Sequence, residues 1–345
     1  MVSSYGDWII QGPLGEGGQA HTFTCYKADD PAHVLRVLKR LKNRERIARF
    51  VAEVDAIKKL QSPYVVQIVA FDTEHKSPYL IMPYYSKGEM ARHSLAGMST
   101  IERLRMFMKI CRGVGCAHSI GIVHRDVKPD NIFISESGDP VVGDFGICHV
   151  VDGERFTLTE EAVGPFRYMA PELEDGRLDD VSAAADVYSL GKLLYWMLTD
   201  RTLAREKHRE AAFNLATQDA PSEMHLVYEL LDRMIVTEPT ARLSDANAVC
   251  NELNALIERV EMRAHAIGPD VPQHCLYCGK GHYRVAVDVD GANAKPMMTV
   301  QNFGFTTVGN SQWRITVCDY CGNTQLFRLD LLPDRRNPWI ATRMP

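Results

Sequence analysis

His124-Arg125-Asp126-Val127-Lys128-Pro129-Asp130-Asn131 is the stretch on which the reading turns, with Asp144-Phe145-Gly146 after it and Ala170-Pro171-Glu172 later again. An Asp, a Lys two positions on and an Asn three beyond that share one short stretch, and a second carboxylate, Asp144, stands 13 residues after Asn131.

Outward from this stretch, the upstream text is a sheet with one helix. Trp8–Gln11, Thr22–Lys27 and His33–Leu38 read as strands, and Leu14-Gly15-Glu16-Gly17-Gly18-Gln19-Ala20 lies between the first two. Glycines there let backbone N–H groups approach phosphate oxygens. Residues 44–60 carry Ile47, Phe50, Val51, Val54, Ile57 and Leu60 at helical spacing, which places Glu53 on an inward face. Val65–Phe71 and Tyr79–Met82 read as two further strands, and from residue 86 the chain turns mostly helical. The last helical pattern, about Ser244 to His265, stops at Gly268-Pro269.

These motifs, in this order, resemble the protein kinase superfamily over about residues 8–262, and Lys128 and the spacing resemble the Hanks-type serine/threonine members of bacteria. The resemblance implies an α+β fold, a bilobal kinase-like domain at 8–265 with a β-rich N-lobe (about 8–85) and a helical C-lobe (about 86–265). It implies ATP and Mg²⁺ as cofactors and a protein hydroxyl as acceptor. Asp126, Lys128, Asn131 and Asp144 take the catalytic positions, with Asn131 and Asp144 as magnesium ligands. Leu14, Gly15, Gly17, Gly18, Ala20, Thr22, Glu53, Met82, Pro83 and Tyr85 take nucleotide-binding positions. Met82 would be the gatekeeper, and Pro83 and Tyr85 would offer a C=O and an N–H to adenine. Asp186 would cap the catalytic-loop backbone, and Glu172 would pair with Arg242.

Three positions depart from the pattern. Distance from Gly15, strand alternation and the 17 residues to Glu53 place Arg36 at the phosphate-contacting position, with Lys39, 14 residues from Glu53, as the alternative. Arginine keeps the charge but is planar, so the exchange is not conservative. Pro165 stands where a hydroxyl residue is usual, and Ala20 replaces the last glycine of the loop. Arg36 and Pro165 keep a second function class in view, a nucleotide-binding pseudokinase scaffold. Arg125 before the Asp suggests control by a phosphate on the activation segment, with Thr157 and Thr159 as candidate acceptors.

The C-terminal part is of another kind. Cys275-x-x-Cys278 and Cys318-x-x-Cys321 are separated by 39 residues, and His274-Cys275-Leu276-Tyr277-Cys278-Gly279 repeats as Val317-Cys318-Asp319-Tyr320-Cys321-Gly322. Two such pairs in a chain without a secretion-like start read as four thiolate ligands of a structural Zn²⁺. Alternating stretches at 282–288, 313–317 and 326–330 make the segment similar to a small β zinc ribbon at 273–345, after a linker at 266–272. The ribbon reads as a protein-docking or sensing appendage. Its arginines (Arg284, Arg314, Arg328, Arg335, Arg336, Arg343) and aromatics (Tyr283, Phe303, Phe305, Trp313, Phe327) fit solvated faces around a small core better than a nucleic-acid surface. In 345 residues the net charge is -5 and charged residues make up 24%, which gives no electrostatic case for nucleic acid or an anionic membrane. No apolar run is long enough to span a bilayer and the N-terminus lacks a signal-peptide pattern, so a cytoplasmic protein is expected.

Overall fold

The computed structural model describes residues 4–16, 20–145, 167–174, 181–217 and 222–261, and, further on, 275, 277, 278, 280, 281, 283–285, 313–318 and 320–328. The chain divides into two compact units, Met1–Lys207 with Leu231–Leu253, and His208–Leu230 with Asn254–Pro345. The linker expected at 266–272 lies outside the described residues.

In the first unit, six strands form an antiparallel sheet. They are β1 (Ser4–Tyr5), β2 (Trp8–Glu16), β3 (Ala20–Lys27), β4 (Arg36–Leu41), β5 (Ala70–Asp72) and β6 (Tyr79–Pro83), in the order β1-β2-β3-β4-β6-β5. The sheet buries both faces. Tyr5, Trp8, Cys25, Leu38, Tyr79 and Ile81 pack on one side. On the other, Val37, Leu41, Leu80 and Met82 meet Phe50 and Val54 of helix α1 (Ile47–Lys59).

β4 starts three residues later than the sequence pattern predicts. The Asp30 carboxylate accepts from the backbone N–H of Ala32 and of Val34, both at 3.0 Å. His33 takes a positive φ of 46°. An Asx-type turn therefore occupies the residues that read as the strand's beginning. The segment expected as a strand at 65–71 is mostly irregular. Gln67 donates its side-chain amide to the carbonyls of Leu60, Ser62 and Val65, and only Ala70–Asp72 joins the sheet.

The helical part begins with α2 (Thr100–His118), started by a capping box between Ser99 and Glu102. Gly113 lets α2 approach the chain before the second small sheet, because a Cβ there would lie 2.6 Å from the Tyr64 carbonyl oxygen. That sheet pairs β7 (Ile132–Ile134) with β8 (Pro140–Val142). A short helix, α3 (Pro171–Glu174), precedes α4 (Ala184–Thr199). α4 is apolar on nearly every side and is buried from Ala184 through Tyr195, the signature of a central core helix. α5 (Ser222–Met234) and α6 (Ala246–Glu261) follow.

In the second unit, β9 (Tyr283–Val285), β10 (Trp313–Cys318) and β11 (Thr324–Arg328) form an antiparallel sheet with β10 in the middle. Among the described residues, no helix is long and apolar enough to cross a membrane.

Candidate active site

A cleft of about 680 Å³ opens where the sheet meets the helical part of the first unit. Leu14, Ala20, Val37, Met82, Tyr85 and Phe133 supply its apolar walls, and Lys39, Glu53, Asp126, Lys128, Asn131 and Asp144 supply its charged and polar end. Gly15, Thr22 and Pro83 also line it. Phe133 of β7 stacks on Tyr85, with centroids 5.4 Å apart and planes 9° apart. Thr22 Oγ1 donates to the Gly15 carbonyl at 2.8 Å, beside a bulge in β2, and so braces the glycine hairpin from inside.

The polar end is held by hydrogen bonds. Lys128 Nζ lies 2.9 and 2.8 Å from the two Asp126 carboxylate oxygens. Asn131 Nδ2 donates to Asp126 Oδ2 and to the Asp126 carbonyl, each at 2.8 Å. The Gly143 N–H donates to the Asn131 carbonyl at 2.9 Å, which fixes the start of the Asp144 segment against the loop. Gly143 itself is required, since a Cβ would lie 2.7 Å from the Phe133 ring.

The loop is anchored from beneath. Asp186, fully buried in the first turn of α4, accepts from the backbone N–H of His124 at 2.6 Å and of Arg125 at 2.7 Å. These bonds hold Arg125 at a left-handed φ of 69°. His118 Nε2 adds a third bond to Asp186 at 2.8 Å, and its Nδ1 accepts from the Ala246 N–H at 3.0 Å, which sets the tautomer. Burial alone would raise the Asp186 carboxyl, but the His118 hydrogen bond and the neighbouring imidazoles hold it below the usual range. His124 Nε2 donates to the Gly143 carbonyl at 3.0 Å, its ring lies 4.5 Å from that of Phe145, and Phe145 is buried among Ile57, Leu60, Val65 and Ala117. Arg242 pairs with Glu172 through two bonds of 2.7 and 2.8 Å.

The strand cation is Lys39. Its Nζ lies 3.0 Å from Glu53 Oε1 and 3.1 Å from Asp144 Oδ1. Burial favours the neutral amine, but the Asp144 and Glu53 carboxylates outweigh it and push the Lys39 pKa above the usual lysine range. Arg36 is displaced from the position the sequence pattern gave it. It shares a strand face with Leu38, which packs on the side of the sheet away from the cleft, and its Nη1 donates to the Leu35 carbonyl. The correction follows from which face of β4 meets α1: Val37 and Leu41 pack with Phe50 and Val54, so period-two alternation puts Lys39 on the cleft side and Arg36 with Leu38 on the other.

Of the other sequence-derived positions, Leu14, Gly15, Ala20, Thr22, Glu53, Met82, Pro83, Tyr85, Asp126, Lys128, Asn131 and Asp144 meet at the one cleft. Gly17, Gly18, Gly146, Thr157, Thr159 and Pro165 lie outside the described residues. Sequence reasoning missed His118 and the bracing role of His124, because no spacing rule links a helix's last residue to an aspartate 68 positions on. It also missed Val37 and Phe133, whose positions could have been found only with the correct register of β4 and β7.

In the second unit the four sulfurs of Cys275, Cys278, Cys318 and Cys321 lie within 4.8 Å of one another. Cys275 and Cys321 are 3.8 Å apart and Cys278 and Cys318 are 3.7 Å apart. A tetrahedral Zn²⁺ with Zn–S of about 2.3 Å requires sulfur separations of about 3.8 Å, whereas a disulfide requires about 2.05 Å. The donor set therefore fits a tetrahedral metal. The N–H groups of Gly281, Tyr320 and Cys321 point at ligand sulfurs, at 3.3, 3.4 and 3.4 Å.

A curled sheet over a helical lobe, with a Lys–Glu pair and two aspartates meeting between them, is the arrangement of a protein kinase domain. The chain belongs to the protein kinase domain family, whose pattern matches residues 8–254. It is 33% identical over 192 residues to a probable serine/threonine-protein kinase of Clostridium perfringens, covering 54% of this chain and 28% of that relative. It is 28% identical over 265 residues to serine/threonine-protein kinase PknK of Mycobacterium bovis, covering 71% of this chain and 23% of the relative. With serine/threonine-protein kinase PknL of Mycobacterium tuberculosis it shares 28% identity over 275 residues, 74% of this chain and 67% of the relative. The chain thus spans about a quarter of the length of the first two relatives and two thirds of the third.

Proposed function

We propose that this protein is an ATP- and Mg²⁺-dependent serine/threonine protein kinase, with its kinase region at 8–265 and a zinc ribbon at 273–345. The observation that carries the reading is the convergence of Lys39, Glu53, Asp126, Lys128, Asn131 and Asp144 in one cleft. ATP with Mg²⁺ supplies the phosphoryl group and neutralises its charge. Asp126, its carboxylate aimed by Lys128 and Asn131, accepts the proton of the attacking hydroxyl. Lys128 then stands beside that base as a positive charge for the transferring group. Asn131 and Asp144 would hold Mg²⁺, and Lys39, held in place by Glu53, would contact the phosphates. The pseudokinase alternative loses its main support once Lys39 occupies the strand position.

Arg125 Nε is buried without a hydrogen-bond partner among the described residues, and burial pushes the guanidinium below its usual pKa. That supports an anionic partner, for which Thr157 and Thr159 are the candidate phosphate carriers. In the ribbon, Cys275, Cys278, Cys318 and Cys321 hold Zn²⁺, whose role is to close four coordination positions and stabilise a small domain. The substrate is a protein hydroxyl, and the ribbon is a protein-docking element rather than a nucleic-acid surface. Paired C-x-x-C knuckles suit a reducing compartment better than a secreted disulfide framework, and the proposed location is the cytoplasm. Transfer of ³²P from ATP to a generic protein acceptor tests the reading. Label is expected with the native chain and lost with Asp126→Ala, and transfer that persists in that variant would defeat the mechanism.

A further inference from the structure

The two cysteine knuckles repeat a tyrosine at the same place, and the two tyrosines behave differently. Tyr277 is 78% exposed. Tyr320 is engaged, and its hydroxyl donates to Glu229 Oε1 of α5. The His225 ring, one turn earlier on α5, meets the Tyr320 ring edge-on at 6.0 Å and 84°. Lys280, just past the first knuckle, donates to the Tyr320 hydroxyl at 3.2 Å and lies 5.2 Å from its ring centroid. All four residues belong to the second compact unit. Each knuckle therefore supplies one residue to a cluster on a single face of α5.

The same residues are tied to the sulfurs. The Tyr320 N–H points at Cys318 Sγ at 3.4 Å. Lys280 is flanked by Gly281, whose N–H points at Cys278 Sγ at 3.3 Å and whose carbonyl accepts from the Cys275 N–H at 2.7 Å. An N–H bond to a metal-bound thiolate is charge-assisted, and one to a neutral thiol is weak. A metal bound to the sulfurs would strengthen these bonds and so steady the backbone that carries Tyr320 and Lys280.

We infer that the knuckles are a metal-dependent latch on α5, with Tyr320 as the bolt and His225 and Glu229 as the strike. This deepens the zinc reading above and rests on it. Because binding free energies are reciprocal, docking on α5 tightens the metal by the same factor by which metal tightens docking. The asymmetry between the tyrosines supplies the internal control.

The test uses the full chain, zinc competition against a chromophoric chelator, and hydrogen exchange over residues 222–230. About one zinc per chain is expected. Tyr320→Phe and, from the helix side, Glu229→Gln should each weaken zinc about five- to tenfold at unchanged stoichiometry. Tyr277→Phe should leave the affinity unchanged. Stripping zinc should speed exchange over 222–230 in the native chain, and the two latch variants should start from the faster rate. A chain that takes up zinc, but whose affinity and α5 exchange ignore Tyr320→Phe and Glu229→Gln, defeats the latch and leaves the zinc site standing. A chain that takes up no zinc defeats the metal site itself, and the latch with it.

Discussion

The cleft and the knuckles both gather groups far apart in the chain, and they do it by opposite means. Lys39 and Asp144, 105 residues apart, are brought together by walls of apolar side chains from α1, the sheet and the Phe145 cluster. Cys275 and Cys321, 46 residues apart, meet in a place where Cys275 and Cys318 are buried but Cys321 is exposed. In the first case the core holds the charges, so removing one is expected to leave the fold in place. In the second, four sulfurs converge within 4.8 Å of one another, and a cation bound there would supply part of a small domain's folding free energy.

Experiments can break that contrast. The largest effect is expected from Asp126→Ala. It should lower kcat by about 10³-fold or more, while far-UV circular dichroism and binding of a non-hydrolysable ATP analogue stay native. Loss of folded signal would show that the catalytic charge also supports the core. Next comes Lys39→Met, expected to lower kcat/KM by about 10²-fold. Arg36→Met, on the opposite strand face, should change it less than about twofold, as a surface substitution does. Steady-state kinetics on the pair decides the register, and the reverse ranking would restore Arg36 as the phosphate contact. For the knuckles, chelation or Cys278→Ser should remove the metal and the ribbon's structure, visible as loss of protection over 313–328, while analogue binding in the cleft persists.

A smaller effect is expected inside the helical core. Lys192 of α4 is buried, with Nζ donating to the carbonyls of Leu203, at 3.2 Å, and of Arg205. Burial, with Arg205 nearby, pulls its pKa down to about 7. The unfolded chain holds that proton to about pH 10.4. Between those values the unfolded state binds more protons, so this lysine's contribution to stability rises with pH. Urea midpoints of the native chain should gain on those of Lys192→Met from pH 7 upward, by up to about 1 kcal/mol per pH unit. A difference that stays flat would mean that the ammonium remains charged in the fold. Smallest of all, Thr22→Val should raise the KM for ATP about two- to threefold through a looser glycine hairpin, with Thr22→Ser restoring it, the scale of one net hydrogen bond.

What could be read directly was whatever depends on local chemistry. The Asp126–Asn131 turn, the Asp144-Phe145 pair, Glu53 on its helical face and the two C-x-x-C knuckles are each defined by spacings of a few residues. Helical or turn geometry converts such spacings into shared faces without help from the rest of the chain. The identity of the cleft cation was of another kind. It depended on which face of β4 packs on α1, and that is set by Val37 and Leu41 meeting Phe50 and Val54, so that period-two alternation carries Lys39 inward and Arg36 outward. The link from His118 to Asp186, the Tyr85–Phe133 stack and the unequal fates of Tyr277 and Tyr320 likewise came only with tertiary structure. Each joins elements whose relative placement is set by non-local burial, and no sequence interval encodes that placement.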